Sequence, residues 1–217
     1  MRKVKKQSGF TLVEIAIVLV IIGLLLGGVL KGQELIESSR IKSMAKDLTS
    51  FSAIMTSYQD RYRAVPGDDA ITATTYTGRG WVGGSAALST VNSLIGAGAA
   101  AVMFPAPAAD TENLLAIQAL RQAGFLDGNG ASVTPPANAA GGAVGLTNTV
   151  MAFGAVNVVC YSGLNGKQAG ALDRLLDDGV NTTGSVRSDT VALAATVPTG
   201  TTVYSETTTG VTLCKTL

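Results

Sequence analysis

Histidine is absent from the 217-residue chain, and other residues that carry chemistry are scarce. Aromatic residues make up 5% of the sequence and charged residues 14%, and there are two cysteines. Without histidine the chain lacks the commonest general base and the commonest metal ligand. The 16 Lys and Arg nearly balance the 15 Asp and Glu, so no basic surface for nucleic acid is indicated. These absences argue against an enzyme and against a specific nucleic-acid partner.

One long apolar run stands out against this composition. Four cations lie within residues 2–6, and the stretch from Phe10 to Leu30 is apolar except for Thr11 and Glu14. A helix of about twenty such residues crosses a hydrocarbon core of roughly 30 Å. The run is longer than the roughly 7–15 apolar residues of a secretory signal, and no A-x-A-like site follows it, so we expect it to stay in the mature protein. The cations predict a cytoplasmic leader and an exported remainder.

Glu14 is the one acid within this run. A carboxylate inside a membrane helix costs about 2.5–3.5 kcal/mol on the insertion scale, so Glu14 should have a partner. Alternatively, Glu14 lies near the membrane surface, where its side chain can reach water. The apolar run by itself leaves both interpretations open.

The segment from Gly9 to Glu14, GFTLVE, follows a short basic leader and resembles the processing site of type IV prepilins and the related pseudopilins. The resemblance implies that prepilin peptidase cuts between Gly9 and Phe10 and methylates the new amine of Phe10. It also implies that Glu14 pairs with the Phe10 amine of a neighbouring subunit during assembly. Cleavage at this position would create a cation at the head of an apolar helix, and Glu14 is an available counter-charge.

The helical pattern continues beyond the apolar run. Apolar residues recur at steps of three and four along one face: Ile41, Met44, Leu48, Phe51, Met55, Tyr58 and Tyr62. Val65-Pro66-Gly67 predicts the end of the helix. We therefore expect a removed leader at 1–9, a transmembrane and assembly segment at 10–30, and an amphipathic continuation at 31–65. Residues 66–217 are then a globular head that ends in a β-meander.

The head alternates between short helical and strand patterns. Helices are predicted at 110–125 and 168–176, and strands within 147–161 and at 190–197, 201–205 and 211–215. Short strands at this spacing predict an antiparallel sheet, one face of which packs on the second half of the long helix. The predicted fold class is α+β and type IV pilin-like, with a long N-terminal helix packed on an antiparallel sheet.

Cys160 and Cys214 fall on the first and last of the predicted strands. In an exported head, two cysteines in an oxidising compartment most simply form one disulfide. Two thiols alone do not make a zinc site, and no histidine is present to activate one as a nucleophile.

An acidic cluster follows the second predicted helix of the head. Asp177 and Asp178 place negative charge at a helix C-terminus, where the helix dipole is already negative. Arg174 or Arg187 could compensate this charge. Ca²⁺, which takes 6–8 oxygen ligands, is the alternative. Its candidate ligands are Asp173, Asp177, Asp178 and Asn181, although their spacing matches no standard calcium loop.

These features favour a structural subunit of a type IV pilus or a related extracellular filament, and not an enzyme. Apart from the candidate Ca²⁺, no cofactor is indicated. The resemblance to type IV prepilins implies as partners identical or related pilin subunits, prepilin peptidase, and an inner-membrane assembly platform with a motor ATPase. The precursor would lie in the bacterial inner membrane with a periplasmic head, and the mature subunit in a filament on the cell surface. The alternatives are a pseudopilin of a type II secretion system and a membrane-tethered binding protein.

Overall fold

The computed structural model of the chain describes residues 11–69, 79–81, 92–96, 112–148, 150–190 and 203–217. The contacts divide the chain into two compact units, one that ends at Arg40 and one that comprises Ile41–Leu217. Helix α1 (Leu12–Tyr62) contributes to both units, because its 51 residues cross this boundary.

Helix α1 changes character along its length. Its large apolar side chains are exposed as far as residue 36, and Leu12 is 86% exposed. The helix ends at Tyr62, slightly before the predicted residue 65, because Arg63 adopts a left-handed φ of 56° and Pro66 follows. The predicted stripe in the second half is buried as far as residue 58: Ile41, Met44, Leu48, Phe51, Met55 and Tyr58.

The head combines two short helices with four strands in the described part of the chain. In chain order these are helix α2 (Glu112–Gln122), strand β1 (Val144–Asn148), strand β2 (Asn157–Leu164), helix α3 (Gly166–Leu176), strand β3 (Val186–Asp189) and strand β4 (Val211–Thr216). The strands form one antiparallel sheet in the order β1-β2-β4-β3. The long helix and the antiparallel sheet confirm the predicted α+β fold. Because β4 lies between β2 and β3, the sheet is not the sequential meander that we predicted.

The two faces of the sheet carry different apolar clusters, because successive side chains of a strand point to opposite faces. One face belongs to the main core of the head, which also contains the buried stripe of α1 and residues Ile117 and Leu120 of α2. The sheet residues of this core are Val144, Leu146, Val159, Tyr161, Leu164, Val186, Val211 and Leu213. The opposite face carries a smaller cluster of Val158, Cys160 and Cys214 together with Val150 and Met151. The second half of α1 therefore shares a core with one face of the sheet, as expected.

Cys160 and Cys214 form a disulfide between the two central strands. They lie directly opposite each other in the register of β2 and β4, and both residues are fully buried. The bond closes a loop with a sequence separation of 54 residues. In the chain-entropy model, closing a loop of this length contributes on the order of 4 kcal/mol to the free energy of unfolding.

Several strand predictions differ from the structure. The predicted run 147–161 is divided into β1 and β2 by a turn, in which Met151 and Ala152 have left-handed φ angles of 49° and 57°. Val203 and Tyr204 lie in a turn and not in the predicted strand 201–205. Strand β3 was not predicted, since its sequence VRSD has a single apolar residue. Parts of four predicted elements lie outside the described residues: 110–111 of the first helix, 149 of the run 147–161, 191–197 of the strand 190–197, and 201–202 of the strand 201–205.

The outer edge of β1 is occupied by other parts of the head. The Val144 N–H donates to the carbonyl oxygen of Pro136 at 2.8 Å. The Asn113 side-chain amide donates to the carbonyl oxygen of Leu146 at 2.7 Å. Because these groups already have partners, this edge does not offer them to a strand from another chain.

Gly67 marks the close approach of the segment after α1 to helix α2. Its φ is 85°, and a Cβ atom at this position would lie 2.5 Å from the backbone oxygen of Glu112. Gly124 has a similar φ of 81°, but a Cβ atom there would have nothing within 4 Å. Comparing alanine substitutions at these two glycines therefore distinguishes the cost of a left-handed backbone from the cost of steric overlap.

We predict that Gly67→Ala lowers the free energy of unfolding more than Gly124→Ala does. Both substitutions place alanine in a left-handed conformation, at about 1–2 kcal/mol each. Gly67→Ala alone adds overpacking against α2, worth about 1–3 kcal/mol. Urea denaturation of the full chain in detergent, followed by Trp81 fluorescence, measures both losses. Equal losses would contradict the close approach.

Candidate functional site

The Glu14 carboxylate lies at the start of α1 and is held by Thr11. Glu14 Oε2 accepts hydrogen bonds from the Thr11 backbone N–H and the Thr11 hydroxyl, both at 2.7 Å. The Thr11 hydroxyl in turn accepts the Glu14 backbone N–H at 3.3 Å. This reciprocal arrangement is a capping box, which provides partners for N–H groups that a helix start leaves unpaired. The T-x-x-E spacing is its sequence signal, and it indicates a role for Thr11 that the apolar run alone does not.

The helix around Glu14 has an almost entirely apolar, exposed surface. Between Leu12 and Ile36 the large apolar side chains are 46–86% exposed. The helix is long and apolar enough to cross a membrane, with a mean hydropathy of 2.8 in its most apolar window. Monomeric soluble proteins rarely expose contiguous apolar patches of more than a few hundred Å². The segment therefore fits a membrane-anchored precursor.

Gly9 and Phe10, the two residues of the predicted cleavage site, lie outside the described residues. Thr11 is the first residue that the structure describes, and it is exposed. Cleavage at this bond and methylation of the Phe10 amine therefore remain predictions.

The acidic loop, residues 177–185, follows α3 in the head. Asp177 Oδ2 accepts the backbone N–H groups of Ser185 and, at 2.9 Å, Val186. The Ser188 N–H donates to the carbonyl oxygen of Asn181 at 3.1 Å. Val186 and Ser188 belong to β3, which is an outer strand of the sheet. The acidic loop therefore caps the free edge of β3.

Asp178 is also bonded within the acidic loop. Its two carboxylate oxygens accept the Val180 N–H at 2.8 Å and the Thr183 hydroxyl at 2.6 Å. The expected compensation by arginine is wrong. Among the described residues neither candidate arginine forms an ion pair with these acids. Arg174 is exposed, and Arg187 donates to the Met151 carbonyl. Backbone amides and a hydroxyl stabilise the negative charge instead.

Asp173 is fully buried beneath the acidic loop. The Tyr204 hydroxyl donates to its Oδ2 atom, and the Gly179 N–H donates to its Oδ1 atom at 3.2 Å. Burial raises the pKa of Asp173, and the negative charges of Asp178 and Asp177 raise it further. The two hydrogen bonds lower the pKa, but the net shift is upward. Burial and the bond to Asp173 also raise the pKa of Tyr204, so the proton stays on the tyrosine.

The structure brings together the three aspartates of the candidate Ca²⁺ set. Oxygen atoms of Asp173, Asp177 and Asp178 lie within 4.8 Å of one another, which is a group that could hold a metal ion. Carboxylate oxygens are the ligands that Ca²⁺ prefers. The side-chain amide of the fourth candidate, Asn181, donates to the Ser188 carbonyl at 3.4 Å. Because hydrogen bonds within the head already engage each of these side chains, the loop geometry is explained without a cation.

The family model of the prokaryotic N-terminal methylation motif matches residues 4–30 of the chain. The chain carries a prepilin-like N-terminus. The matched residues contain two of the four leader cations, the predicted cleavage site and Glu14. The motif is the hallmark of type IV pilin and pseudopilin precursors. Comparison with curated proteins finds no match.

The methylation motif indicates how the exposed apolar helix is processed and what it assembles with. The motif implies processing by prepilin peptidase and assembly with pilin subunits. It also points to a structural protein. The capping box formed by Thr11 and Glu14 lies within the residues that the motif covers.

We predict that Asp177→Ala destabilises the head of this prepilin-like chain more than Asp178→Ala. Removing the Asp177 carboxylate leaves two backbone N–H groups without an acceptor, one of them at the buried Val186, which should cost about 1–3 kcal/mol. Asp178 is exposed, so water can replace its bonds. Urea denaturation of both variants measures the difference. Similar losses would contradict the role of Asp177 as an edge cap.

We predict that Asp173→Asn changes how stability depends on pH. The native pKa of Asp173 is raised, so the folded chain binds this proton more tightly than the unfolded chain does. The Asp173 contribution to stability is therefore fully present below the ordinary carboxyl pKa and is lost as the pH rises through the raised native pKa. Over that interval the variant should gain stability relative to the original chain. Urea denaturation at a series of acidic to neutral pH values tests this, and parallel curves would contradict it.

Proposed function

We propose that the chain is a structural subunit of a type IV pilus or a related extracellular filament, matured by prepilin peptidase and polymerised through its N-terminal helix. The exposed apolar surface of α1 between Leu12 and Ile36, joined to the methylation motif, is the observation that carries this proposal. The precursor resides in the bacterial inner membrane with its head in the periplasm, and the mature subunit resides in a filament on the cell surface.

The apolar segment of α1 finds comparable surroundings in lipid and in a bundle of identical or related helices. Lipid tails are about as apolar as leucine side chains, so moving the helix between these environments changes its hydration little. An assembly platform with a motor ATPase can therefore extract the subunit without exposing a large apolar surface to water. In the filament, van der Waals packing between helices replaces their contacts with lipid.

Glu14 forms a charge pair with a neighbouring subunit during assembly. Cleavage between Gly9 and Phe10 would leave an amine that stays positively charged after methylation. The Glu14 carboxylate, now held by Thr11, would then accept this amine from a neighbouring subunit. A carboxylate within an apolar bundle is expensive unless it has a partner, so the pair favours the register in which amine and carboxylate meet.

We predict that Glu14→Gln leaves processing intact but abolishes incorporation into surface filaments. Glutamine keeps the length of the side chain and one acceptor oxygen but lacks the charge that binds the amine. Asp60→Asn is the matched control, because Asp60 is an exposed acid on the same helix outside the apolar segment. Immunoblots of sheared surface material and of membranes measure the outcome, and mass spectrometry of the N-terminus checks processing.

Three results would contradict parts of this proposal. Filaments that contain the Glu14→Gln chain at the normal level would exclude the charge pair. An original chain that keeps residues 1–9 in cells with the peptidase would exclude maturation. A processed original chain that stays in the membrane while protein secretion depends on it would identify a pseudopilin of a type II secretion system.

A further inference from the structure

The disulfide lies beneath a turn formed by residues 150–156, which we call the cover turn. Val150 and Met151 are 0% and 1% exposed and share an apolar cluster with Cys160 and Cys214. Phe153 is partly buried against the same cluster. The other face of the sheet is closed by the main core. Both cysteines are 0% exposed, so a reagent in solution reaches the sulfur atoms only if part of the head moves.

The backbone of the cover turn is strained near its start. Met151 and Ala152 are consecutive non-glycine residues with φ angles of 49° and 57°. Left-handed conformations are unfavourable for residues that carry a Cβ atom and persist where the surroundings hold them. The Ala152 side chain is exposed, so its conformation is imposed through its neighbours and not through its own packing.

Arg187 holds the cover turn to the sheet. It lies opposite Cys214 in the register of β3 and β4, next to the disulfide. One terminal nitrogen of its guanidinium donates to the Met151 carbonyl at 2.9 Å. The guanidinium carbon lies 4.7 Å from the centre of the Phe153 ring, a cation–π contact. A single side chain thus fixes both the strained residue and the aromatic residue of the turn.

We propose that the cover turn is a strained lid latched by Arg187, and that thiol–disulfide exchange at Cys160–Cys214 requires this lid to open. In the exchange, a thiolate of a dithiol attacks one sulfur, the S–S bond breaks, and the other cysteine leaves as a thiolate. The second thiol of the reagent then displaces the first cysteine. Two electrons pass from the dithiol, which becomes a disulfide, to the two cysteines. By the same geometry, oxidation during folding precedes closure of the lid.

Ala152 offers a test that alters strain without removing a contact. Ala152→Val places a β-branched residue in the left-handed conformation, which should raise the open population on the order of tenfold. Ala152→Gly relieves the strain and should slow opening severalfold. The full chain in detergent is treated with dithiothreitol, free thiols are alkylated at intervals, and mass spectrometry gives the rate of reduction. The expected order of rates is Ala152→Val, then the original chain, then Ala152→Gly.

The latch is tested by Arg187→Ala, with Arg174→Ala as the matched control. Arg174 is an exposed arginine of the same head, so its variant should be reduced at the original rate. Arg187→Ala should be reduced on the order of tenfold faster, since the Met151 carbonyl loses its charged donor. Equal rates for the two arginine variants would overturn the latch.

Tyr204→Phe separates opening of the lid from unfolding of the whole head. It removes the hydroxyl that donates to the buried Asp173 and leaves the cover turn unchanged. If reduction followed global unfolding, the rate for this variant would rise by the same factor as its unfolded population, about tenfold for each 1.4 kcal/mol of lost unfolding free energy. The rate for Ala152→Val would then follow the same relation. That result would overturn the proposal. Accelerated reduction in Ala152→Gly would also overturn it, even if Ala152→Val failed to fold.

Discussion

The exposed apolar surface at the start of α1 is the constraint on which the rest of the structure depends. A helix with Leu, Ile and Val on all sides is stable as a helix in lipid or among other helices, but not in water. The second half of the same helix has one buried stripe, from Ile41 to Tyr58, and the head supplies the core for it. One element thus belongs to two environments, and the change in its side-chain pattern near residue 40 divides them.

At both outer edges of the sheet in the head, backbone groups are bonded to other parts of the same head. Asn113 and Pro136 occupy groups at the edge of β1, and the acidic loop occupies groups at the edge of β3. Open strand edges invite pairing with other chains. Where the structure describes these edges, association is left to the apolar helix, which agrees with the proposed filament.

Most of the architecture could be predicted because it depends on periodic patterns. The buried stripe, the helix end before Pro66 and the antiparallel sheet follow from spacing and turn residues. Strand β3 could not be predicted, because its sequence VRSD has one apolar residue. Its backbone is held by β4 on one side and by the Asp177 carboxylate and the Asn181 carbonyl on the other. For the acidic side chains the sequence suggests arginine or Ca²⁺ as partners, whereas in the structure they accept hydrogen bonds from backbone amides and from the hydroxyls of Thr183 and Tyr204. These hydrogen bonds depend on the conformation of the acidic loop, which cannot be predicted from its composition.

The position of the disulfide has a mechanical consequence for any fibre built from this subunit. Tension applied through α1 would reach the head from its N-terminal side, and unravelling would proceed along the chain towards Cys160. The covalent link to Cys214 prevents the 54 residues beyond Cys160 from being extended by the tension. Fully extended, these residues would span roughly 180 Å. A stretched subunit would therefore lengthen by a limited amount, because the residues within the disulfide loop carry no tension.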